Sequence, residues 1–193
     1  LTMDFHAERV IAAEFQKFLM NGTLYQGSKP VMWSPVEKTA LAEAEVEYHD
    51  KESFTVWVKF QVVGTGDATL DSAKVVIWTT TPWTMPSNKA VVYGAGISYG
   101  LYEVIGRPEE CWARIGERFI LSDALAEDVL GRARLDPSMY RRLCDITSED
   151  LAKIQLLHPL HGVEGGAGEW DDIRDFRAAD FVTDSEGTGF VHC

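Results

Sequence analysis

Hydroxyl and aromatic side chains cluster in the stretch VVIWTTTPWTMPSNKAVVY, residues 75–93. A turn between two strands needs Gly, Asn, Asp or Pro at particular dihedral angles and gains nothing from three adjacent threonines. Pro82 favours an extended conformation at Thr81, and β-branching favours the same conformation at all three threonines. Because side chains alternate along a strand, we expect the hydroxyls of Thr79 and Thr81 on one side and that of Thr80 on the other.

The chemistry open to these side chains is contact with a small substrate. A threonine hydroxyl without a neighbouring base is a poor nucleophile, so we expect the threonines to line a wall and to form no covalent intermediate. Pro82 and Pro86 donate no ladder hydrogen bonds, so the backbone should leave the sheet after Thr81. Asn88 then supplies an amide that both donates and accepts. Composition alone favours a simpler interpretation, in which β-branched residues form strand and the tryptophans fill the core.

Other clusters of reactive residue types predict no catalytic or metal site. His158 and His161 in HPLH have a spacing that suggests metal, but Pro159 breaks the helix that would align them, and no further ligands cluster nearby. The glycine-rich GVEGGAGEWDD lacks the Lys-Ser or Lys-Thr pair of a phosphate-binding loop, which indicates a surface loop. The many acidic residues single out no carboxylate pair for glycosidic chemistry. We therefore expect no bound metal.

Local patterns predict a chain of many short strands with a few helices. In DFHAERVIAAEFQKFLMNG the apolar residues recur at helical spacing between a capping Asp4 and a terminal Asn-Gly. From Ser53 the pattern alternates with period two, as in a half-buried strand. Helices are also expected after Ser122 and around residues 137–144. The further strand candidates are residues 74–78, 89–93, 99–105, 117–121, 154–157, 181–183 and 189–192.

These elements predict a β-rich α+β fold. Short strands with a few inserted helices suggest a closed or strongly curved β-barrel core with peripheral helices, and not the regular alternation of a doubly wound sheet. A boundary is expected near Lys51, where the helical and coil-like opening gives way to strands. Residues 1–50 would form a connector helix and a leading segment, and residues 51–193 the main domain.

Composition and charge bound the class of protein. A chain of 193 residues with 46% hydrophobic and 25% charged residues is typical of a globular protein with its own core. A net charge of −12 argues against a grip on long duplex DNA, since phosphate binding requires basic residues. The three cysteines form no C-x-x-C pair, and the apolar runs are far shorter than the ~20 residues that span a bilayer. We expect no membrane segment and a reducing, cytoplasmic setting.

A family resemblance comes from the whole string WTTTPWTMPSN. It is similar to the threonine-rich segment of the editing domain (the CP1 insertion) of the isoleucyl-tRNA synthetases, class I aminoacyl-tRNA synthetases in which WTTTPWT-x-P-x-N is nearly a signature. LTMDF resembles the end of the preceding connector, KPVMWSPVEKTALAEAEVEY the segment that leads into the insertion, and GTGFVH the GTG-x-VH strand. Valyl and leucyl relatives carry TTRP in place of TTTP, which favours the isoleucyl family. Residues 136–184 carry no recognisable motif.

The resemblance implies a role for each residue that matches the motif. The threonines would form the wall of an editing pocket with a tryptophan nearby, an asparagine would support the wall, and a histidine would face the aminoacyl side chain. In the family, the histidine strand continues into an APGHGPDD-like loop whose last aspartate holds the substrate's α-ammonium group, whereas this chain stops at Cys193, so we expect a domain truncated at its C-terminus. The implied catalytic residues are Thr79, Thr80, Thr81, Asn88 and His192, and the implied substrate contacts are Thr79, Thr81, Trp83 and His192.

The implied activity is hydrolysis of the ester in mischarged valyl-tRNA(Ile). A pocket that admits isoleucine cannot exclude valine by shape, because one methylene is worth only ~1–3 kcal/mol, a limit whose standard example is isoleucyl-tRNA synthetase itself. A second, smaller site would cleave the valyl ester with an oriented water molecule. The implied partners are the 3′-aminoacyl-adenosine end of tRNA(Ile) and the rest of the synthetase chain. Only that single-stranded end must enter the domain, which is compatible with the acidic net charge.

Motifs of the HIGH and KMSKS type, which mark an aminoacylation site, are missing from the sequence. No cofactor is therefore expected for this domain, and ATP and zinc are expected only in the full-length enzyme. Two alternatives to an active editing domain stay open. The first is a catalytically silent module of the same synthetase that binds the tRNA 3′ end or has a structural role. The second is a free-standing trans-editing protein, which the cut-looking termini of the chain disfavour.

Overall fold

Two compact units, Leu1–Lys51 and Glu52–Cys193, make up the protein in a computed structural model that describes residues 1–166 and 168–193. The first unit contains helix α1 (Phe5–Met20), the antiparallel pair β1 (Trp33–Ser34) and β2 (Thr39–Ala40), and a 3₁₀ turn, Glu43–Glu45. Asp4 caps α1 by accepting the backbone N–H of His6 at 2.9 Å. No helix within the two described stretches is both long and apolar enough to cross a membrane.

The second unit is built on one sheet of nine strands in the order β11-β5-β10-β9-β3-β4-β7-β6-β8. Most neighbours are antiparallel, but β4 pairs with β7, and β5 with β10, in parallel. The strands are β3 (Val56–Val63), β4 (Ala73–Thr79), β5 (Ala90–Tyr93), β6 (Tyr99–Val104), β7 (Arg118–Ser122), β8 (Tyr140–Ile146), β9 (Gln155–Leu157), β10 (Ile173–Ala178) and β11 (Phe190–His192). The helical segments are α2 (Ala68–Asp71), α3 (Ala126–Arg132), α4 (Ser148–Leu151) and the 3₁₀ segments Pro82–Ser87 and Pro137–Met139.

The predicted closed or strongly curved β-barrel core is wrong. Strands β11 and β8 are the two edges of an open sheet, and no ladder joins them among the residues that the structure describes. A barrel closes only when its first and last strands hydrogen-bond to each other. Period-two patterns identify strands but do not say which strands pair, because pairing depends on contacts far apart in the sequence. The protein has a mixed α+β fold with a large open sheet.

Three segments of the second unit differ from their predicted type. The helix predicted around residues 137–144 is a 3₁₀ turn followed by β8, an edge strand whose mostly exposed side chains show no alternation. Strand β10, with the sequence IRDFRA, is missing from the predicted strands because charged residues interrupt its apolar pattern. Residues 181–183, predicted as strand, form none. Each error concerns a segment in which few side chains are buried.

Strand β4 carries buried apolar residues on both faces of the sheet. Val75 and Ile77 belong to one core cluster, while Val76 belongs to a second cluster that includes Val129 of α3. This division follows from the alternation of side chains along a strand. Because both faces are covered, the backbone of β4 is held rigidly up to its last residue, Thr79.

A buried carboxylate joins three parts of the second unit. The Glu117 side chain is only 4% exposed, and it accepts hydrogen bonds from Lys59 Nζ at 2.8 Å, from Lys74 Nζ, and from the backbone N–H of Arg114 at 2.9 Å. Burial by itself raises the pKa of Glu117, but the two lysine hydrogen bonds and the Arg114 N–H outweigh it and the net pKa lies below the usual value. Lys59 also lies 5.1 Å from the ring centroid of Trp112, a cation–π distance. The carboxylate is therefore charged and fixes β3, β4 and the start of β7 together.

Replacing this carboxylate should destabilise the protein. Glu117→Gln leaves two lysine ammonium groups, whose side chains are 28% and 27% exposed, without their counter-charge. Because both retain some access to water, we expect a loss of about 2 kcal/mol in the free energy of unfolding, below the cost of breaking a fully buried pair. Urea denaturation measures it. Glu110→Gln, which removes the exposed partner of Arg134, is the control and should leave the midpoint unchanged, and equal midpoints for the two variants would contradict the assignment.

Candidate functional site

The threonine segment begins where β4 ends. Thr79 is the last residue of β4 and is only 6% exposed. Thr81 precedes the 3₁₀ segment Pro82–Ser87, and the proline at its first position ends the strand because it has no N–H to donate. The backbone N–H of Thr84 and its hydroxyl both donate to the Thr81 carbonyl, at 3.0 Å and 2.7 Å. The transition from strand to 3₁₀ helix therefore fixes the position of Thr81.

The hydroxyl of Thr79 is the centre of a small polar cluster. Its Oγ1 accepts the backbone N–H of Thr81 at 3.1 Å, lies 3.1 Å from Thr81 Oγ1, and lies 3.3 Å from Nε2 of His192. A hydroxyl has one proton to donate and two lone pairs, so these three contacts use its full capacity. The structure thus brings together three of the predicted site residues, two of which lie 113 positions apart in the sequence.

Asn88 holds the strand that carries His192. Its Nδ2 donates to the carbonyl of Ala90 at 2.7 Å and to that of Cys193 at 3.1 Å. The same Cys193 carbonyl accepts the backbone N–H groups of Lys89 at 2.7 Å and Ala90 at 3.1 Å, while the Cys193 N–H donates to Ala90 at 2.8 Å. Asn88 therefore acts on the end of β11 and makes no hydrogen bond to the threonines among the described residues.

Two buried polar atoms of this region have hydrogen-bonding capacity to spare. Oδ1 of Asn88 and Nδ1 of His192 are buried and have no partner in the part of the chain that the structure describes. A buried polar atom without a partner costs about 1–3 kcal/mol, so most such atoms in folded proteins are satisfied. A polar group can reach either atom only when the side chains that cover it move.

Thr80 and Trp83 lie apart from the cluster. Thr80 is exposed, as strand alternation predicts for the side chain between Thr79 and Thr81. Trp83 is 71% exposed on the 3₁₀ segment. Neither side chain makes a hydrogen bond within residues 1–166 and 168–193.

The site is electrically neutral. Burial lowers the pKa of His192 below its usual 6.5, so the imidazole is uncharged at neutral pH. In the described residues no carboxylate, lysine or arginine hydrogen-bonds to Thr79, Thr81 or His192. Nor do those residues contain a group of three or more His, Cys, Asp or Glu side chains placed to hold a metal ion. The arrangement suits the orientation of a water molecule or an ester by neutral donors and acceptors.

A cavity of about 500 Å³ lies beside β4 but includes none of the predicted site residues. Trp78 lines it, and because Trp78 immediately precedes Thr79 its side chain points to the opposite face of the strand. This cavity therefore belongs to the α3 side of the sheet, away from the threonine cluster. Its walls are Thr55, Trp57, Trp78, Leu125, Asp128, Arg132, Ser185, Glu186 and Gly187.

Two residues that hold the 3₁₀ segment were not predicted from the sequence as part of the site. His158 Nε2 lies 2.9 Å from the Met85 carbonyl oxygen, and Trp170 Nε1 donates to the Pro86 carbonyl at 3.0 Å. In the sequence, the spacing of His158 from His161 suggests only a metal site, and Trp170 lies in a glycine-rich stretch. The apolar residues around His158 predict that it is buried, but they do not predict which group it hydrogen-bonds to.

Comparison with known proteins gives one consistent result. The family model for tRNA synthetases class I (I, L, M and V) matches residues 1–157. An isoleucine–tRNA ligase of Ruegeria pomeroyi is 74% identical over 193 residues, which are 100% of this chain and 20% of that protein. The isoleucine–tRNA ligase of Rhodopseudomonas palustris is 53% identical over 191 residues, covering 99% of this chain and 18% of that protein. The chain thus spans about a fifth of the length of these relatives.

Among solved structures, the crystal structure of GlLeuRS-CP1 aligns with a TM-score of 0.49 at 16% sequence identity, over 72% of this chain and 53% of that one.

Acidification should destabilise the protein through the buried His158 and the half-buried His192. Burial lowers the pKa of both His158 and His192 below 6.5, so the unfolded chain binds more protons than the folded one between that value and the folded pKa. Their contribution to stability is complete above about pH 6.5 and is lost as the pH falls toward the folded pKa. We expect the urea midpoint to fall between pH 7.5 and pH 5.5.

The variant His192→Gln tests this assignment. It removes one of the two titrating groups. The urea midpoint of the variant should therefore fall less between pH 7.5 and pH 5.5 than the urea midpoint of the wild type. A wild-type midpoint that rises on acidification, or a variant as sensitive to pH as the wild type, would exclude neutral buried imidazoles as the cause.

Proposed function

Because this chain belongs to the class I tRNA synthetases (I, L, M and V), we propose that it is the editing domain of an isoleucine–tRNA ligase, which hydrolyses mischarged valyl-tRNA(Ile). The single observation that carries the proposal is the 3.3 Å contact between His192 Nε2 and Thr79 Oγ1. It joins the threonine motif to the histidine of the GTG-x-VH strand, and these are the two segments of the family resemblance that carry the implied site residues. The proposed partners are the 3′-aminoacyl-adenosine end of tRNA(Ile) and the rest of the ligase chain.

Size discrimination follows from the groups that meet at this contact. The methyl group of Thr79 and the imidazole of His192 form a rigid floor, since Thr79 ends a strand covered on both faces and His192 is held by the β5–β11 pairing. A side chain one methylene longer than valine must displace one of them. Overpacking of this kind costs about 1–3 kcal/mol and disfavours isoleucine, whereas an open pocket favours isoleucine over valine by a similar ~1–3 kcal/mol.

Hydrolysis requires a water molecule aimed at the ester carbonyl and support for the oxygen that gains negative charge. The hydroxyl of Thr81, which Thr79 Oγ1 fixes at 3.1 Å, keeps hydrogen-bonding capacity to orient the water. Nδ1 of His192 has no partner in the described residues and can hydrogen-bond to the substrate once a movement of neighbouring side chains uncovers it. The water oxygen bonds to the carbonyl carbon, the bond to the ribose oxygen breaks, and that oxygen takes up a proton. The proposal includes no covalent intermediate with the protein. The base beside Thr79 is His192, but its contact of 3.3 Å is longer than a nucleophile–base hydrogen bond, and no third group in the described residues orients its ring through Nδ1.

The alternative of a catalytically silent module that binds the tRNA 3′ end draws on a specific observation. The described residues place no charged group in contact with Thr79, Thr81 or His192, so nothing there is positioned to hold the α-ammonium group of an aminoacyl ester. A module of this kind would retain the acceptor end without cleaving it. Binding and hydrolysis must therefore be measured separately.

The decisive experiment places this chain in the Ruegeria pomeroyi ligase in exchange for its matching segment. That chimera should hydrolyse valyl-tRNA(Ile) and leave isoleucyl-tRNA(Ile) intact. His192→Ala opens the floor by removing the ring, so we expect isoleucyl-tRNA(Ile) to be hydrolysed as well, with discrimination falling at least tenfold. Release of labelled amino acid from each tRNA measures both rates. A chimera that binds both tRNAs and hydrolyses neither would favour the silent module.

A second variant tests the threonine hydroxyls. Thr79→Val preserves the shape of the side chain but removes the acceptor shared by Thr81 and His192, so we expect valyl-tRNA(Ile) hydrolysis to slow about a hundredfold, the typical cost of losing one oriented polar group. The control is Thr69→Val on α2, an exposed threonine outside the site. If both variants keep the parental rate, the Thr79 hydroxyl takes no part in hydrolysis.

A further inference from the structure

The segment that follows the threonines is held from behind by two side chains of a distant part of the chain. The carbonyls of Met85 and Pro86 accept hydrogen bonds from His158 Nε2 at 2.9 Å and from Trp170 Nε1 at 3.0 Å. His158 is 2% exposed, and its ring stacks on Trp170 with centroids 6.1 Å apart and an interplanar angle of 15°. The two rings therefore form one unit, here termed the His158–Trp170 clamp, against two consecutive carbonyls.

The hydrogen bonds of His158 define its tautomer. The backbone N–H of Leu160 donates to Nδ1 at 3.0 Å, so Nδ1 must be the acceptor. Nε2 then carries the proton and donates it to the Met85 carbonyl. Both partners require the neutral ring, because a proton on Nδ1 would face the Leu160 N–H. Burial lowers the pKa of His158, and the nearby charges of Arg174 and Lys89 act in the same direction.

The Met85 carbonyl links the clamp to the candidate site. It also accepts the backbone N–H of Asn88 at 3.0 Å, so His158 and Asn88 share one acceptor oxygen. Asn88 in turn donates from its side chain to the Cys193 carbonyl, next to His192. At the other end of the same 3₁₀ segment, Thr84 bonds to the Thr81 carbonyl. The clamp thus acts on both the threonine wall and the histidine floor through one six-residue segment.

We propose that His158 and Trp170 are positioning residues of the editing site, which set the distance between its threonine wall and His192 by holding the 3₁₀ segment Pro82–Ser87. This inference rests on the proposed function for its catalytic consequence, but its structural content stands on the contacts alone. Neither residue touches the threonine cluster, so both act through the backbone. A shift of about 1 Å in a reacting group lowers rates about a hundredfold, which makes such a support kinetically visible.

Trp170→Phe is the most selective test, because it keeps an aromatic ring against His158 and removes only the donor to Pro86. In the chimeric ligase we expect the kcat for valyl-tRNA(Ile) hydrolysis to fall ten- to a hundredfold, with KM changed less than threefold. His158→Leu should lower kcat by the same range or more. His158→Gln, whose amide can both donate and accept, should restore at least part of the lost rate.

The control is His161→Gln, which changes the other histidine of the HPLH sequence. His161 is exposed, its Nδ1 lies 3.4 Å from a carboxylate oxygen of Asp171, and its side chain makes no hydrogen bond to the 3₁₀ segment among the described residues. This variant should keep the parental kcat and KM. If His161→Gln lowers kcat as much as Trp170→Phe does, the effect belongs to the loop as a whole and the clamp is excluded.

NMR of the 193-residue chain separates failure of the clamp from failure of the proposed function. The ¹⁵N shifts of His158 should show a proton on Nε2 at pH 7. Trp170→Phe should shift the amide resonances of Thr81, Asn88 and His192 and leave those of β6 and β7 unchanged. A His158 ring protonated on Nδ1, or no shift at the three site amides, overturns the inference whether or not the chimera is active. Site shifts with an inactive parent chimera would retain the clamp and reject the hydrolytic function.

Discussion

The pairing of β11 with β5 is the interaction on which the candidate site depends. Three residues of β11 pair with β5, placing His192 opposite Val91, and the Cys193 carbonyl that follows accepts three N–H donors around Asn88. An edge strand this short has little stability of its own. The concentration of donors on one carbonyl compensates for that length and sets the ring of His192 at 3.3 Å from Thr79. Every chemical property assigned to the cluster requires that approach.

The sequence predicts the parts of the fold that depend on local patterns, and it does not predict those that depend on pairing between distant segments. The period-two alternation around β3 and the helical spacing of α1 identify those elements, because each pattern reflects the burial of its own residues. Alternation also predicts that Thr79 and Thr81 share a side from which Thr80 is excluded, a local property of an extended chain. The sequence does not predict the open sheet. Its parallel pairs β4–β7 and β5–β10 join segments whose sequences do not indicate that they pair. Three charged residues interrupt the apolar alternation of β10, so its sequence does not read as a strand.

Site prediction shows a similar division between motif and context. The threonines, Asn88 and His192 were identified through short strings of residues, and the structure places Thr79, Thr81 and His192 in contact. His158, which supports the 3₁₀ segment, was not predicted from the sequence, because its hydrogen bond to a backbone carbonyl requires no particular residue at position 85. Carbonyl acceptors are the same at every residue. Contacts of this kind leave no trace in the residue types of the partner, so only coordinates reveal them.

The separation of Thr79 and His192 in the sequence also determines when they meet during synthesis. A ribosome takes roughly 6–23 s to advance the 113 positions from Thr79 to His192 at about 5–20 residues per second. Throughout that interval β4 and the threonine segment are already made, while β11 and its histidine do not yet exist. A nascent chain therefore has the threonine hydroxyls of the cluster before it has the imidazole that contacts them. The cluster forms only after β11, which pairs with β5, has been made.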